Sequence, residues 1–260
     1  MQLNKNLYIE TNTNKSMLKK GQVSVFAILG IVLVILVALF FFLRNEYGLF
    51  VKPTTFLTEK AKPIEDNLKN CVAGVTQTSL DTFGRQGGDF DSDSYLLYKG
   101  MNVKYFCTNI PGQEECLNVM PTLKDMKDEL GVKIQEGINS CVDKNLAKSG
   151  LGYDVEVGKL DTKVDFAGGN VLVKADYDVE IIKGSVKTTI NPVTLSFDAP
   201  VEELYAVAVD AINAEARVGF FEQLLYMTAK KGEYIINLDK PYPDKIYKVN
   251  KKNSMFELWF

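Results

Sequence analysis

The sequence predicts an α+β protein in which an N-terminal transmembrane helix is followed by an antiparallel β-meander packed with two or three helices. Three observations predict it. Residues 23–43 (VSVFAILGIVLVILVALFFFL) carry no charge, residues 62–84 and 122–150 repeat apolar side chains at helical spacing, and residues 153–197 alternate with a period of two. The organisation that follows is a cytoplasmic leader (1–21), a transmembrane helix (22–43), a helical part with a disulfide loop (44–150), and an antiparallel sheet carrying a long helix at 201–231 (151–260).

The apolar run comes first. As a helix rising ~1.5 Å per residue it is long enough to cross a hydrocarbon core of roughly 30 Å. Lys5, Lys15, Lys19 and Lys20 precede it against Glu10 alone, whereas Arg44, Glu46 and Lys52 follow it. That asymmetry places the N-terminus inside and the C-terminal domain outside, in a single-pass protein of the cell membrane whose first partner is the lipid bilayer. The run exceeds the ~7–15 apolar residues of a removable secretory signal. It ends in Phe40-Phe41-Phe42-Leu43-Arg44, with no small-residue cleavage site after it.

Lys20-Gly21-Gln22-Val23-Ser24 resembles the cleavage region of archaeal type IV prepilin-like proteins, in their class III-like form. The resemblance implies a candidate leader cleavage between Gly21 and Gln22, after which the apolar helix stays with the mature chain and supports self-association. Gln22 and Ser24 match the Gln-x-Ser opening of that leader class; Phe26 stands where the class has Glu, and Gly30 where it has Leu. The segment KGQVSVFAILG is also similar to leaders of uncharacterised single-pass archaeal surface proteins. Some of these carry a Cys-Val helix running into Gln-Gly-Gly, as Cys71-Val72 and Gln86-Gly87-Gly88 do here. The resemblance covers the leader and, loosely, residues 60–100; it implies no activity.

Beyond the anchor, Lys62-Pro63 opens a helix with Ile64, Leu68, Cys71, Val72, Val75, Ser79 and Phe83 on one stripe and Gly84 at its stop. Residues 87–100 read as a loop with an extended piece at Tyr95–Tyr98. A second helix begins after Pro121, where Thr122 and Asp125 are spaced as a capping box. Its apolar positions Leu123, Met126, Leu130, Ile134, Ile138, Cys141 and Val142 keep helical period up to Gly150.

In the strand region the apolar residues of 153–157 are odd-numbered and those of 160–166 even-numbered. That parity change at Gly158-Lys159 implies a bulge or a break between strands. Ala167-Gly168-Gly169-Asn170 is a turn, Val171 to Ile181 alternate cleanly, and Lys183-Gly184-Ser185 turns again. Residues 186–190 and 193–197, separated at Asn191-Pro192, complete the meander. Pro200 then opens the helix 201–231, rich in Ala206, Ala208, Ala211, Ala214 and Ala216 and stopped by Gly232. The tail, 234–238 and 245–260, reads as two or three strands with 250–253 as a turn.

All four cysteines lie past the apolar run, and an even number in an exported domain points to disulfides. Four cysteines allow three pairings. The short loop with Pro111-Gly112 at its centre favours Cys107 with Cys116, which leaves Cys71 for Cys141. The first 43 residues hold four lysines and one glutamate, so the remaining 217 carry about −6 against −3 for the whole chain. An acidic exterior suits neither nucleic acid nor anionic lipid.

The chain has no histidine, which excludes Ser-His-Asp, Cys-His and histidine-ligated metal chemistry; it also lacks phosphate- and dinucleotide-binding glycine motifs. Asp176, Asp178 and Glu180 share one strand face near Asp154, Glu156, Asp161 and Asp165, as a half-solvated strand requires. Asp89, Asp91 and Asp93 alternate in a loop that follows two glycines, which makes them a calcium candidate. They do not open an EF-hand, since Ser94 and Gly100 occupy the positions of its Gly and Glu. Lys240, Lys245, Lys248, Lys251 and Lys252 lie among Tyr242, Tyr247 and Trp259, and edge-strand lysines account for them. The sequence thus points to a non-enzymatic, membrane-anchored extracellular surface protein with a structural or contact role, pilin-like in its sharper form. The alternative is an anchored binding module for a small ligand, a glycan or calcium.

Overall fold

The structure, a computed structural model, describes residues 17–46, 53–112, 116–146, 154–183 and 186–260. The chain divides into two compact units, residues 1–56 and 57–260. The described residues form an α+β protein of five helices and four small antiparallel sheets.

The first unit holds helix α1, Met17–Glu46. Its large apolar side chains between Val25 and Phe40 are 46–72% exposed, on every face of the helix. Side chains of α1 are described only over residues 25–40, and among the described residues no helix is long and apolar enough to cross a membrane.

Helix α2 (Pro53–Arg85), in the second unit from Leu57 onward, buries the expected stripe there, with Ile64, Leu68, Cys71, Val72 and Phe83 all inside. The helix does not open at Pro63, as the sequence suggested: Pro53 takes the first-turn position and Pro63 lies within. Helix α3, Leu123–Leu146, starts on the expected cap, Thr122 Oγ1 accepting the Asp125 N–H at 3.1 Å. Its Met126, Leu130, Ile134, Ile138 and Val142 are buried, each such side chain contributing roughly 1.5–3 kcal/mol. The predicted end at Gly150 lies outside the described residues.

The largest sheet pairs β5 (Asp154–Ala167) with β6 (Asn170–Lys183) along their lengths. The register shifts between Val157 and Leu160, so the parity change is a bulge inside one strand. Gly158-Lys159 there oppose Asp178 alone, and a Cβ on Gly158 would meet Asp178 Oδ2 at 2.9 Å. The extra residue keeps Val155 and Leu160 on one face, opposite Ile181 and Tyr177. Ile64, Leu68 and Cys71 of α2 and Val142 of α3 close over Tyr177 and Val179 on that face.

The expected meander is corrected at its end. Strands β7 (Val186–Thr189) and β8 (Val193–Asp198) both pair with β6, β7 against Glu180–Lys183 and β8 against Asn170–Ala175. They act as one interrupted edge strand. Strand β6 is long enough to pair with both, and Pro192, which lacks an N–H, falls at the interruption.

The single helix at 201–231 is corrected as well: α4 spans Val201–Val218 and α5 spans Gln223–Ala229. Gly219 adopts φ 76°, and its N–H closes on Glu215 O at 2.9 Å, ending α4 in a left-handed cap. The chain then turns Phe221 into the core, with its ring 5.2 Å from Tyr226 and 5.8 Å from Tyr247. The tail forms β9 (Tyr234–Asp239), β10 (Ile246–Lys251) and β11 (Glu257–Trp259), in the order β11-β10-β9.

Two hairpins lie between α2 and α3. Strand β1 (Tyr95–Tyr98) is the expected extended piece, and it pairs with β2 (Met101–Lys104) across Lys99 and Gly100, both at positive φ. Strands β3 (Cys107–Asn109) and β4 (Cys116–Asn118) pair beside the Cys107–Cys116 disulfide. The second disulfide joins Cys71 of α2 to Cys141 of α3. Both pairings are those the spacing favoured.

Candidate functional site

The 87–94 loop follows from its two glycines. Gly87 and Gly88 have φ 75° and 78°, and a Cβ on Gly88 would lie 2.1 Å from Met126 Cε. This sharp turn brings Asp89 to the Lys104 ammonium from β2, which pairs with its carboxylate. Asp89 Oδ1 accepts the Asp91 N–H at 3.1 Å, and Glu129 of α3 accepts the Phe90 N–H at 2.6 Å. Burial, then the neighbouring Asp89 carboxylate, raises the Glu129 pKa.

The three aspartates do not converge in this structure. Asp89 is turned inward to Lys104, while Asp91 and Asp93 point to solvent. Among the described residues no group of three or more acidic or cysteine side chains could hold a metal ion. An internal ammonium stands where the sequence suggested calcium.

The acids of β6 do share a face, and it is the solvent face. Asp176 lies opposite Asp161, and Glu180 lies opposite Glu156 while accepting from Lys187 Nζ at 2.8 Å. Three of the five tail lysines are paired with acids: Lys245 with Glu215 (2.7 Å), Lys248 with Asp239 (2.6 Å) and Lys251 with Glu203 (2.7 Å). Gly21 and Gln22 fall in the first turns of α1, where no side chains are described.

A cleft that sequence reading missed lies between the β3–β4 hairpin, the end of α4 and residues 243–245. Its volume is about 490 Å³, and Ser94, Tyr105, Thr108, Asn109, Glu215 and Asp244 line it. Its floor is aromatic: the Phe106 and Phe260 rings stack at 5.1 Å, and Phe260 stacks on Tyr247 at 5.5 Å. The Cys107–Cys116 bridge fixes the hairpin wall, with the two Cα atoms 5.6 Å apart.

The Glu215 and Lys245 charges of the cleft are matched to each other. Glu215, its side chain only 11% exposed, accepts from Lys245 Nζ at 2.7 Å and from the Tyr247 hydroxyl. Lys245 Nζ also donates to Gly219 O at 2.9 Å, satisfying a carbonyl at the end of α4. Burial, then the Glu215 hydrogen bond and charge, raises the Tyr247 pKa; burial, then Asp244, raises that of Tyr105. Ser94 Oγ, Thr108 Oγ1 and the Asn109 amide form no hydrogen bond to another described residue. Nothing local flags this cleft, because its polar residues are scattered from 94 to 245. The Cys107–Cys116 spacing around Pro111-Gly112 is the only signal that marks one wall.

Comparison of the chain with known protein families, with curated proteins and with solved structures found no match.

Proposed function

We propose that this chain is a membrane-anchored extracellular surface protein with a structural or contact role, α1 serving as its anchor and the oxidised second unit being displayed outside. The observation that carries the reading is α1 itself, whose apolar side chains are exposed on all faces over residues 25–40. A helix apolar all round needs lipid or other helices about it. Lys19 and Lys20 before the run supply the orientation, and two disulfides suit an oxidising exterior. Display, not catalysis, is the proposed mechanism: the chain has no histidine, and its exposed carboxylates lie on an open sheet face. In the pilin-like form, cleavage between Gly21 and Gln22 lets α1 helices of many copies pack as a filament core.

Edman sequencing of protein from washed membranes, joined with alkaline extraction, tests both parts. An anchor resists alkaline carbonate. A start at Met1 keeps it a permanent anchor, and a start at Gln22 together with filaments in sheared surface material makes it pilin-like. Full release by carbonate without filaments refutes the proposal.

A further inference from the structure

We propose that the cleft between the disulfide hairpin, the end of α4 and residues 243–245 binds a neutral oligosaccharide. The inference deepens the alternative of a binding module and rests on the domain being displayed outside, where surface glycans are the abundant polyhydroxylated ligands. Three properties of the cleft select this chemistry.

Its size comes first. A volume of about 490 Å³ falls in the range of small-ligand sites and holds one or two sugar rings with room for water. Electrostatics comes second. Glu215 already holds Lys245 and Tyr247, while the Asp244 carboxylate, also in the lining, forms no salt bridge among the described residues. An anionic ligand would meet both carboxylates, whereas a neutral one uses the acceptor positions they keep. The groups left open are the hydroxyls of Ser94 and Thr108 and the amide of Asn109, which match sugar hydroxyls as donors and acceptors.

Third, apolar sockets of the kind a peptide side chain fills are lacking. Phe106, Ile212 and Phe260 line the cleft but are buried beneath it, 1%, 4% and 5% exposed. Affinity comes from hydrogen bonds and from the exposed Pro243 and half-exposed Tyr105 rings, against which the C–H face of a sugar can lie. Walls held by the Cys107–Cys116 bridge and by Lys245 keep these groups in place before a ligand arrives.

The test uses the full chain, fluorescently labelled in detergent micelles, on a printed panel of neutral and acidic oligosaccharides of two to six sugars with tripeptides alongside. The proposal expects retention on neutral oligosaccharides, weakened about ten-fold in Asn109→Ala and in Asp244→Asn. Asn109 is exposed, so its substitution leaves folding untouched, and Asp176→Ala on the distant sheet face is expected to bind as the parent does. No retention on any neutral sugar, preference for acidic sugars or peptides, or retention unchanged in both cleft variants overturns it. None of those results alters the N-terminus or carbonate extraction, so failure here is separable from failure of the anchor.

Discussion

Glu129 and Asp239 show how neighbouring groups give two carboxylates opposite dependences on pH. Burial and Asp89 raise the Glu129 pKa above its ordinary 4.5. Such a group opposes folding once pH climbs past 4.5, and the penalty disappears below it, where folded and unfolded chains are both protonated. Glu129→Gln keeps an acceptor for the Phe90 N–H and removes the ionisation. It is expected to melt higher than the parent at pH 7, with the gap closing below pH 4.5 in thermal scans. Asp239 goes the other way: Lys248 first, and then the Tyr98 hydroxyl, hold its pKa below the ordinary 3.8. Its contribution is present above 3.8 and is lost as pH falls further, so Asp239→Asn melts lower at pH 7 and converges on the parent in acid. Lys104 completes the residue scale. Lys104→Met strands the largely buried Asp89 carboxylate, an expected loss of about 1–3 kcal/mol in urea unfolding. This internal pair is why the Asp89-x-Asp91-x-Asp93 spacing misled: a sequence shows the acids of a loop but not the lysine that folds back onto them.

At the scale of elements, period and caps were legible and long-range contacts were not. The bulge at Gly158 could be read because a two-residue alternation changes parity there, and the Thr122–Asp125 cap because it is local. The end of α4 at Gly219 was hidden, since Ala, Glu and Leu continue on both sides. Gly219 ends the helix in its left-handed cap, and Phe221 packing on Tyr247 fixes the turn that follows, a contact no local pattern carries. The cleft was hidden for the same reason, its groups arriving from five separated stretches of chain. Gly84 is the sharpest test of element packing: a Cβ there would sit 2.1 Å from Glu257 O, backbone of β11. Since backbone cannot swing aside as a side-chain end does, Gly84→Ala forces α2 away from β11. Chemical denaturation should register a loss of ~3 kcal/mol or more. The two disulfides differ in reach as well, closing 70 and 9 residues. By loop entropy, removing Cys71–Cys141 costs about 4 kcal/mol and removing Cys107–Cys116 about 2.5. Paired serine variants compared in urea check that ranking; equal losses would argue against the entropic account.

At the scale of the whole molecule, the proposed topology and the cysteine chemistry constrain one another. The disulfides join α2 to α3 and close the β3–β4 hairpin, and no described cysteine is free. A cytoplasm rich in glutathione would keep those thiols reduced, so bridge formation reports which side of the membrane the second unit reaches. In the proposed topology, orientation is set by the lysines before the apolar run. Four stand there, against Arg44 and Lys52 just after it. Replacing Lys19 and Lys20 with Gln leaves Lys5 and Lys15, two basic residues on either side, and removes the bias without touching the folded unit. In cells, the double variant is expected to insert in both orientations. Chains left with the second unit inside carry four free thiols. Maleimide labelling after rapid lysis in denaturant, read as a gel shift, would then show a modified band absent from the parent. Protease added to intact cells should spare the modified chains and digest the unmodified ones. A double variant that stays wholly oxidised and wholly protease-sensitive would mean that something other than Lys19 and Lys20 directs the chain outward. Parent protein with labelled thiols would place the second unit inside and overturn the display reading itself.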